Sequence, residues 1–468
     1  MLKKREGGDL LSKFHSGIKK EEILGILESK DVKIHFVGVG GVGMYSLCRL
    51  TLSLGYEVSG TDREDSELCL QLRRCGCKVT VGHTDAAAAG AALIVYSLAV
   101  SEDNPELLYA ESEGICAVSR AEYLGALMTL YKERIGVSGS HGKSTTTAMI
   151  HAIFERAGKS PTTLLGAKQK GGSPLTLGER EYMIYESCEY KDSFLRFSPT
   201  VALFTNLEHD HVDYFKSFES LCDSFWLAMN SAPKAIVNSD DGNLRQIIKK
   251  LKRRPATFGE SADADVRGVV THRENGCYDI EVFYTGTSFC INLSIPGRYN
   301  AKNALAAAAL SLECGISHDA IKGALESFEG IERRLEVLGE RNGAKIYYDY
   351  AHHPTEISCA IEAVRETGAG KLLVIFKPHT YSRTARFMNE FANALSLADE
   401  VILCEVSAIR EEKIKGVSSE RLANIIGKKA TLLKDSEVCL ALDNSGASSV
   451  IIMGAANLDE VKRDIIGK

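Results

Sequence analysis

The stretch that most constrains this chain is a short apolar run that meets a loop of small residues and then a helix. Ile135 to Val137 leads into Ser138-Gly139-Ser140-His141-Gly142. Lys143 and Ser144 then open a helical pattern carried by Ala148, Met149, Ile150, Ile153 and Phe154. Strand, glycine loop and helix in that order make a cradle for phosphate. The loop N–H groups and the helix N-terminus face the anion, the lysine neutralises it, and the Ser144 hydroxyl can hold magnesium. A strict P-loop asks for glycine five residues before Gly142, where Val137 stands between Gly136 and Gly139. A plain glycine turn would leave Gly142-Lys143-Ser144 and the three threonines after them without a reason, so the stretch is read as an ATP site.

The chain has 468 residues, enough for roughly three domains of ~150 residues. Its 44% hydrophobic and 25% charged residues describe a globular chain with material for several cores. The net charge of −6 offers no global basic field for nucleic acid or an anionic membrane. No run approaches ~18 uninterrupted apolar residues, so no membrane helix is expected. Residues 1–30 contain no apolar core of secretory length. The thirteen cysteines form no CxxC pair, so they are expected to be reduced thiols of a cytosolic protein.

Residues 1–30 are polar, with an amphipathic helix expected at 19–29 and no function assigned. An apolar strand at 33–37 then runs into Gly38-Val39-Gly40-Gly41-Val42-Gly43, a GxGxxG that opens a helix at 44–54. The next strand, 57–59, ends near Asp62, where a dinucleotide site places the acid that holds a ribose. NAD fits this pattern, and a nucleotide sugar satisfies the same geometry, a pyrophosphate at a helix N-terminus. Strands at 78–81 and 92–96, the latter ending at Ser97, and a helix at 120–130 complete a small doubly wound domain over 31–130.

After the phosphate loop, three strands end in ligand-type residues. The first runs into Glu186, the second into Asn206-Leu207-Glu208-His209-Asp210-His211, the third into Asn238-Ser239-Asp240-Asp241. Open α/β sheets gather ligands at the carboxyl ends of their strands. Hard oxygens with few protein contacts suit magnesium bound largely through phosphate and water. His209 and His211 do not make a zinc site on spacing, because no cysteine or third histidine stands at zinc distance from them. Segments over 266–295, separated by Asn-Gly and Thr-Gly, are expected to form hairpins. Asn300 and Asn303 lie one turn apart at the start of a helix expected at 304–313, as caps or as nucleotide contacts, and spacing favours caps. A second α/β alternation follows, with strands at 344–348, 372–376, 400–404 and 450–453. Two of its strand ends, Asp349-Tyr350-Ala351-His352-His353-Pro354 and Lys377-Pro378-His379-Thr380-Tyr381-Ser382-Arg383-Thr384, look like a rim for an anionic group.

Taken together, these residues resemble the Mur ligases from about Val32 almost to the C-terminus. The resemblance rests on FVGVGGVGM at 36–44, GSHGKSTTT at 139–147, TNLEHDH at 205–211, GRYNAKNA at 297–304, GIERR at 330–334, DYAHHPTEI at 349–357 and FKPHTYSRT at 376–384. It implies an α/β chain of three domains after an N-terminal extension (1–30). These are a Rossmann-like UDP-sugar domain (31–130), a central P-loop ATPase-type domain with a small antiparallel sheet (131–332), and a Rossmann-like amino-acid domain (333–468).

The implied reaction is ATP-dependent joining of L-alanine to the carboxylate of UDP-N-acetylmuramate through an acyl phosphate, in cytoplasmic peptidoglycan precursor synthesis. Gly38, Gly40, Gly41, Val42, Gly43, Asp62 and Ser97 would bind the UDP-sugar. Gly139, Ser140, His141, Gly142, Lys143, Ser144, Thr145, Asn300, Asn303, Arg334 and Asp349 would bind ATP. Ser144, Glu186 and His211 would hold Mg2+, with Lys143, Glu186 and His211 catalytic. His352 and Arg383 would contact alanine, Arg383 through its carboxylate. No nucleic-acid or membrane partner is implied, and the oligomer would be a monomer or weak homodimer.

Four departures stand out: Ser140 and Ser144 replace threonines, Cys188-Glu189-Tyr190 replaces a more acidic run, Tyr299 replaces histidine, and Thr380 stands where arginine is usual. The alternatives are a relative that attaches a tripeptide to the same sugar nucleotide, an NAD-dependent oxidoreductase using Gly38 to Gly43 and Asp62, and a non-catalytic nucleotide-binding regulator.

Overall fold

Ile34, Phe36 and Val37 have no polar face to show to water, so the strand that carries them must be covered on both sides. In the computed structural model, which describes residues 20–168, 172–408, 411–455 and 458–467, this strand is the centre of a five-stranded parallel sheet. The order across that sheet is Lys78–Val81, Glu57–Asp62, Lys33–Val37, Leu93–Tyr96, Cys116–Ser119. The strand order reverses between Lys33–Val37 and Leu93–Tyr96. Gly38 and Ser97 therefore face each other at the switch point, where ligands of doubly wound sheets bind.

The second sheet has ten strands. Its parallel heart runs Ala256–Gly259, Lys234–Asn238, Val201–Phe204, Glu133–Ser138, Glu179–Glu186, Pro161–Leu164. The expected hairpins are present as Val266–His272, Tyr278–Tyr284 and Thr287–Asn292, paired antiparallel. They extend the edge of the parallel part rather than standing apart, because Val266 and Arg267 pair with Phe258 and Gly259. The phosphate-loop helix Lys143–Arg156 and the alanine-rich helix Arg298–Glu313 share one apolar core. Ala304, Ala307, Ala308 and Ala309 are wholly buried there, their small side chains permitting close approach.

The third sheet has six strands in the order Glu336–Arg341, Ala344–Asp349, Ser449–Met453, Leu372–Phe376, Glu400–Leu403, Ala430–Leu432, with only the first pair antiparallel.

Three expectations change. The strand expected at 57–59 continues to Asp62, which places that carboxylate at the strand's carboxyl end beside the glycine loop. The alanine-rich helix begins at Arg298, so Asn300 and Asn303 lie inside its first turns and do not cap it. The N-cap is Gly297, at φ 99° and with no side-chain cap. The helix expected at 19–29 is Lys20–Ile26, and residues 1–19 of the N-terminal extension lie outside the described residues. Ile23 on this helix is fully buried in the same core as Tyr123, Leu127, Phe194 and Phe225, and Lys20 Nζ donates to Ser198 Oγ at 3.1 Å. The helix is thus part of the folded core.

Ile23→Ala should lower stability by about 2–5 kcal/mol, measured as a shift in the denaturant midpoint. Leu440→Ala, at a side chain 69% exposed, should change it by no more than about 0.5 kcal/mol.

Candidate active site

The strand Glu133–Ser138 stops where Gly139 turns at φ 145°, and the helix Lys143–Arg156 starts after Gly142 at φ 80°. A Cβ on Gly142 would collide with the Asn303 carboxamide, so glycine is required both for the backbone angle and for the approach of the alanine-rich helix. The neighbouring strand end braces the loop. The His141 amide donates to Asn206 Oδ1 at 2.8 Å, Asn206 Nδ2 donates back to the His141 carbonyl at 2.9 Å, and Thr205 Oγ1 donates to the same carbonyl at 3.1 Å. Ser140 Oγ donates to the Glu208 carbonyl and accepts from the Glu208 amide.

Lys143 folds back over its own loop. Its ammonium donates to the carbonyls of Gly139 and Ser140 and lies 3.2 Å from both carboxylate oxygens of Glu189. Burial works against that charge, but Glu189 outweighs it and holds the ammonium firmly protonated. His211 Nε2 stands 3.5 Å from Glu189 Oε1. Burial lowers the imidazole's affinity for a proton, yet its contacts with Cys188 and Glu189 and the charge of Asp210 raise its pKa to about 10.

The carboxylate beside Lys143 and His211 is therefore Glu189. Glu186, the expected metal ligand, caps the end of its strand and accepts a hydrogen bond from the Gly166 amide. The strand Glu179–Glu186 ends there, and the short turn after it carries Glu189 beneath the phosphate loop to 1% exposure. The strand's end thus carries Glu186, and the turn after it sets Glu189 against the Lys143 ammonium. Ser144 is buried in the first turn of the helix.

A cavity of roughly 440 Å³ opens from the loop. His141, Gly142, Thr145, Asn303, Arg334 and Asp349, all expected for ATP, line it. So do Phe258, which carried no sequence signal, and Lys302, which lies in the GRYNAKNA segment but is assigned no role there; they come from a strand and a helix of the central sheet's layer. Asn300 donates from Nδ2 to the Pro296 carbonyl at 2.7 Å and lines the adjoining cleft instead. Asp349 accepts from the amides of Leu335 and Ala351 at 2.6 and 2.7 Å. Burial raises its pKa to about 6 against the opposing charge of Arg334.

The third sheet meets the loop through charge. His141 lies between Glu356 Oε1 at 3.1 Å and Glu208 Oε2 at 3.3 Å, and Thr355 Oγ1 donates to Glu208 Oε2 at 2.7 Å. His352 Nδ1 sits 3.2 Å from Glu356. Arg383 donates to Asp210 Oδ1 at 2.8 Å, and burial of that carboxylate is outweighed by the arginine's charge, which holds it ionised. Arg383 is thus buried and already paired, with one guanidinium nitrogen near His379 Nδ1 at 3.5 Å.

At the first sheet, the Gly40 amide donates to Asp62 Oδ2 at 2.7 Å. Gly41 and the helix Val42–Ser53 complete the turn, and Gly43 packs against the Arg120 guanidinium. Arg120, which sequence reasoning passed over, reaches from this loop toward the central sheet, where Cys188 and Glu186 act on its charge.

Comparison with known proteins places these elements in a family. Residues 33–132 match the model "Mur ligase family, catalytic domain", 137–311 "Mur ligase middle domain" and 333–459 "Mur ligase, glutamate ligase domain". The chain is 40% identical over 418 residues to UDP-N-acetylmuramate–L-alanine ligase of Aquifex aeolicus, covering 88% of this chain and 91% of the relative. It is 36% identical over 453 residues to the enzyme of that name from Agathobacter rectalis, covering 94% and 99%. The crystal structure of UDP-N-acetylmuramate-alanine ligase from Thermotoga maritima superposes with a TM-score of 0.79 at 27% identity, covering 93% of this chain and 98% of that one. A murein peptide ligase from Psychrobacter arcticus, at 22% identity and a TM-score of 0.72, shares the fold.

Glu208 and Glu356 raise the pKa of His141 to about 9, against its burial, from an ordinary value of 6.5. A raised histidine contributes its stability in full below the unfolded value and loses it as pH climbs through the folded one. The thermal midpoint should therefore fall between pH 6.5 and about 9, and fall less in His141→Asn, by calorimetry across that window.

Proposed function

The chain belongs to the Mur ligase family, and on that premise we propose that it joins L-alanine to the carboxylate of UDP-N-acetylmuramate in an ATP-dependent reaction. The observation that carries this reading is the similarity to alanine-adding ligases over almost the whole chain, combined with a phosphate loop whose cavity is walled by both the second and third sheets. A nicotinamide oxidoreductase would leave Lys143 and this cavity without a use.

A carboxylate is a poor acylating agent at neutral pH. Its oxygen first attacks the γ-phosphorus of ATP, ADP leaves, and an acyl phosphate forms. The neutral amine of alanine then attacks the acyl carbon, and phosphate departs as the amide forms. The first step brings two anions together, a repulsion that the cations Lys143, Arg120 and Arg334 would offset.

Lys143 supplies fixed positive charge to the transferring phosphoryl group. The loop amides of residues 139–142 orient it, and Gly38 to Gly43, Asp62 and Ser97 receive the sugar nucleotide. Arg383 and His352 hold the amino acid, with Asp210 fixing the guanidinium's direction. Ser144, Glu186 and His211 would hold a magnesium ion: a hydroxyl and a carboxylate oxygen are the donors such an ion takes, and Glu189, which pairs with Lys143 and His211, lies beside them. The ion would neutralise phosphate charge as it transfers. The division into 31–130, 131–332 and 333–468 assigns one substrate to each domain, and cytoplasmic synthesis of the peptidoglycan precursor follows from the substrates. Among the described residues no helix is long and apolar enough to cross a membrane.

Phosphate release from ATP should require both UDP-N-acetylmuramate and L-alanine; release driven only by a tripeptide, or by neither acceptor, would overturn the assignment. Lys143→Ala should lower kcat by about 10²–10³-fold or more with the fold intact. Glu186→Gln should raise the magnesium concentration needed for half-maximal rate, which a magnesium titration of the variant reads directly.

A further inference from the structure

The parallel strands of the central sheet have a second end. The phosphate loop follows the carboxyl end of Glu133–Ser138. A separate cavity of roughly 250 Å³ lies at the amino ends of Lys234–Asn238 and Ala256–Gly259, which run parallel to it. It is smaller than the ~300–1,000 Å³ of sites for drug-sized ligands. Its lining brings Lys234, Arg253 and Arg254 together against one carboxylate, Glu313.

The three cations differ in what they hold. Lys234 pairs with Glu313 at 2.7 Å, and Arg254 pairs with Asp265 at 2.7 Å. The Arg253 guanidinium rests instead on the carbonyls of Pro233 and Ala232, each at 3.2 Å, and among the described residues no carboxylate pairs with it. Those carbonyls follow the helix Phe218–Ser231. They fix the position of the guanidinium and leave its charge without a counterion. Asn230, in the last turn of that helix, lines the same cavity. Its Oδ1 accepts from the Lys252 amide at 3.4 Å, and its Nδ2 is buried with no acceptor. A buried donor without an acceptor is a standing cost that a ligand oxygen would remove. Lys249, Lys250 and Lys252, on the segment leading to Arg253, are exposed and add positive charge on the approach.

We propose that Arg253, Lys234 and Asn230 form a second anion site, for a single phosphate group, at the end of the sheet remote from the phosphate loop. Phosphate offers oxygens in several directions and up to two negative charges. Donors on three separate segments, flanked by lysines, suit it better than the flat single charge of a carboxylate. The group can be a free phosphate or the headgroup of an anionic lipid, because flanking lysines of this kind also face charged membrane surfaces. The site shares no residue with the ligase machinery and does not depend on that reading.

The chain has one tryptophan, Trp226. It stands one turn before Asn230 on the same helix face, and its Nε1 donates to the Lys250 carbonyl at 3.2 Å. Its emission therefore reads this cavity. Titrating the full-length protein with inorganic phosphate should shift that emission saturably, and sodium chloride at matched ionic strength should not. Arg253→Gln should weaken the apparent phosphate affinity at least about tenfold, and Asn230→Ala, which leaves the arginine in place, should weaken it as well. Lys143→Ala, which removes the cation of the phosphate loop, should keep the wild-type response. Sedimentation with phosphatidylglycerol–phosphatidylcholine vesicles separates the two sources. Co-sedimentation that Arg253→Gln abolishes assigns the site to a lipid headgroup, and a phosphate response without co-sedimentation assigns it to a free phosphate. No saturable response to phosphate, a wild-type response in Arg253→Gln, or a response lost in Lys143→Ala would overturn the proposal.

Discussion

A buried ammonium needs a negative partner at all times, and Lys143 organises the site through that need. Taking a charge of this size out of water costs several kcal/mol unless another group answers it. Here Glu189 and two carbonyls of the phosphate loop answer it. The same ammonium is what an incoming phosphate would attract, so the loop is set for an anion before one arrives. Its geometry does not rest on glycine alone. Thr205 and Asn206, at the end of the adjacent strand, grip the His141 carbonyl and amide and hold the loop open.

Charge also joins the sheets. His141 lies between an acid of the central loop, Glu208, and an acid of the third sheet's first helix, Glu356. Arg383 of the third sheet is paired with Asp210 of the central one. These pairs are buried or half-buried, where removing one partner is costly because the other is left uncompensated. They align the strand-end segments of the third sheet with the phosphate loop by contacts that cross between sheets. Preorganising the reactants in this way is what turns binding energy into rate in a reaction that must bring anions together.

Much of this was legible in advance. The strand–loop–helix at residues 133–156 announced itself through glycine, lysine and hydroxyl residues whose spacing follows from backbone geometry. The strand ends carrying Asp349 and Arg383 did so through polar clusters interrupting apolar runs. The failures have physical reasons. Asn300 and Asn303 looked like caps because helix starts favour asparagine, yet Gly297 turns the chain earlier and tucks both residues into the helix. Glu189 gave no signal beside Glu186, because only the turn after the strand brings it under the loop. Arg120 gave no local signal, since its importance lies in what stands across from it.

The sequence by itself determined the elements, their alternation and the phosphate cradle, because periodicity, glycine positions and helix starts are local properties. Only the tertiary structure decided which acid faces Lys143, which carboxylates clasp His141 and Arg383, and that Cys188 stands beside His211. Those are contacts between segments whose separation along the chain carries no information about their separation in space, and they exist only once three sheets have packed and their buried charges have found partners.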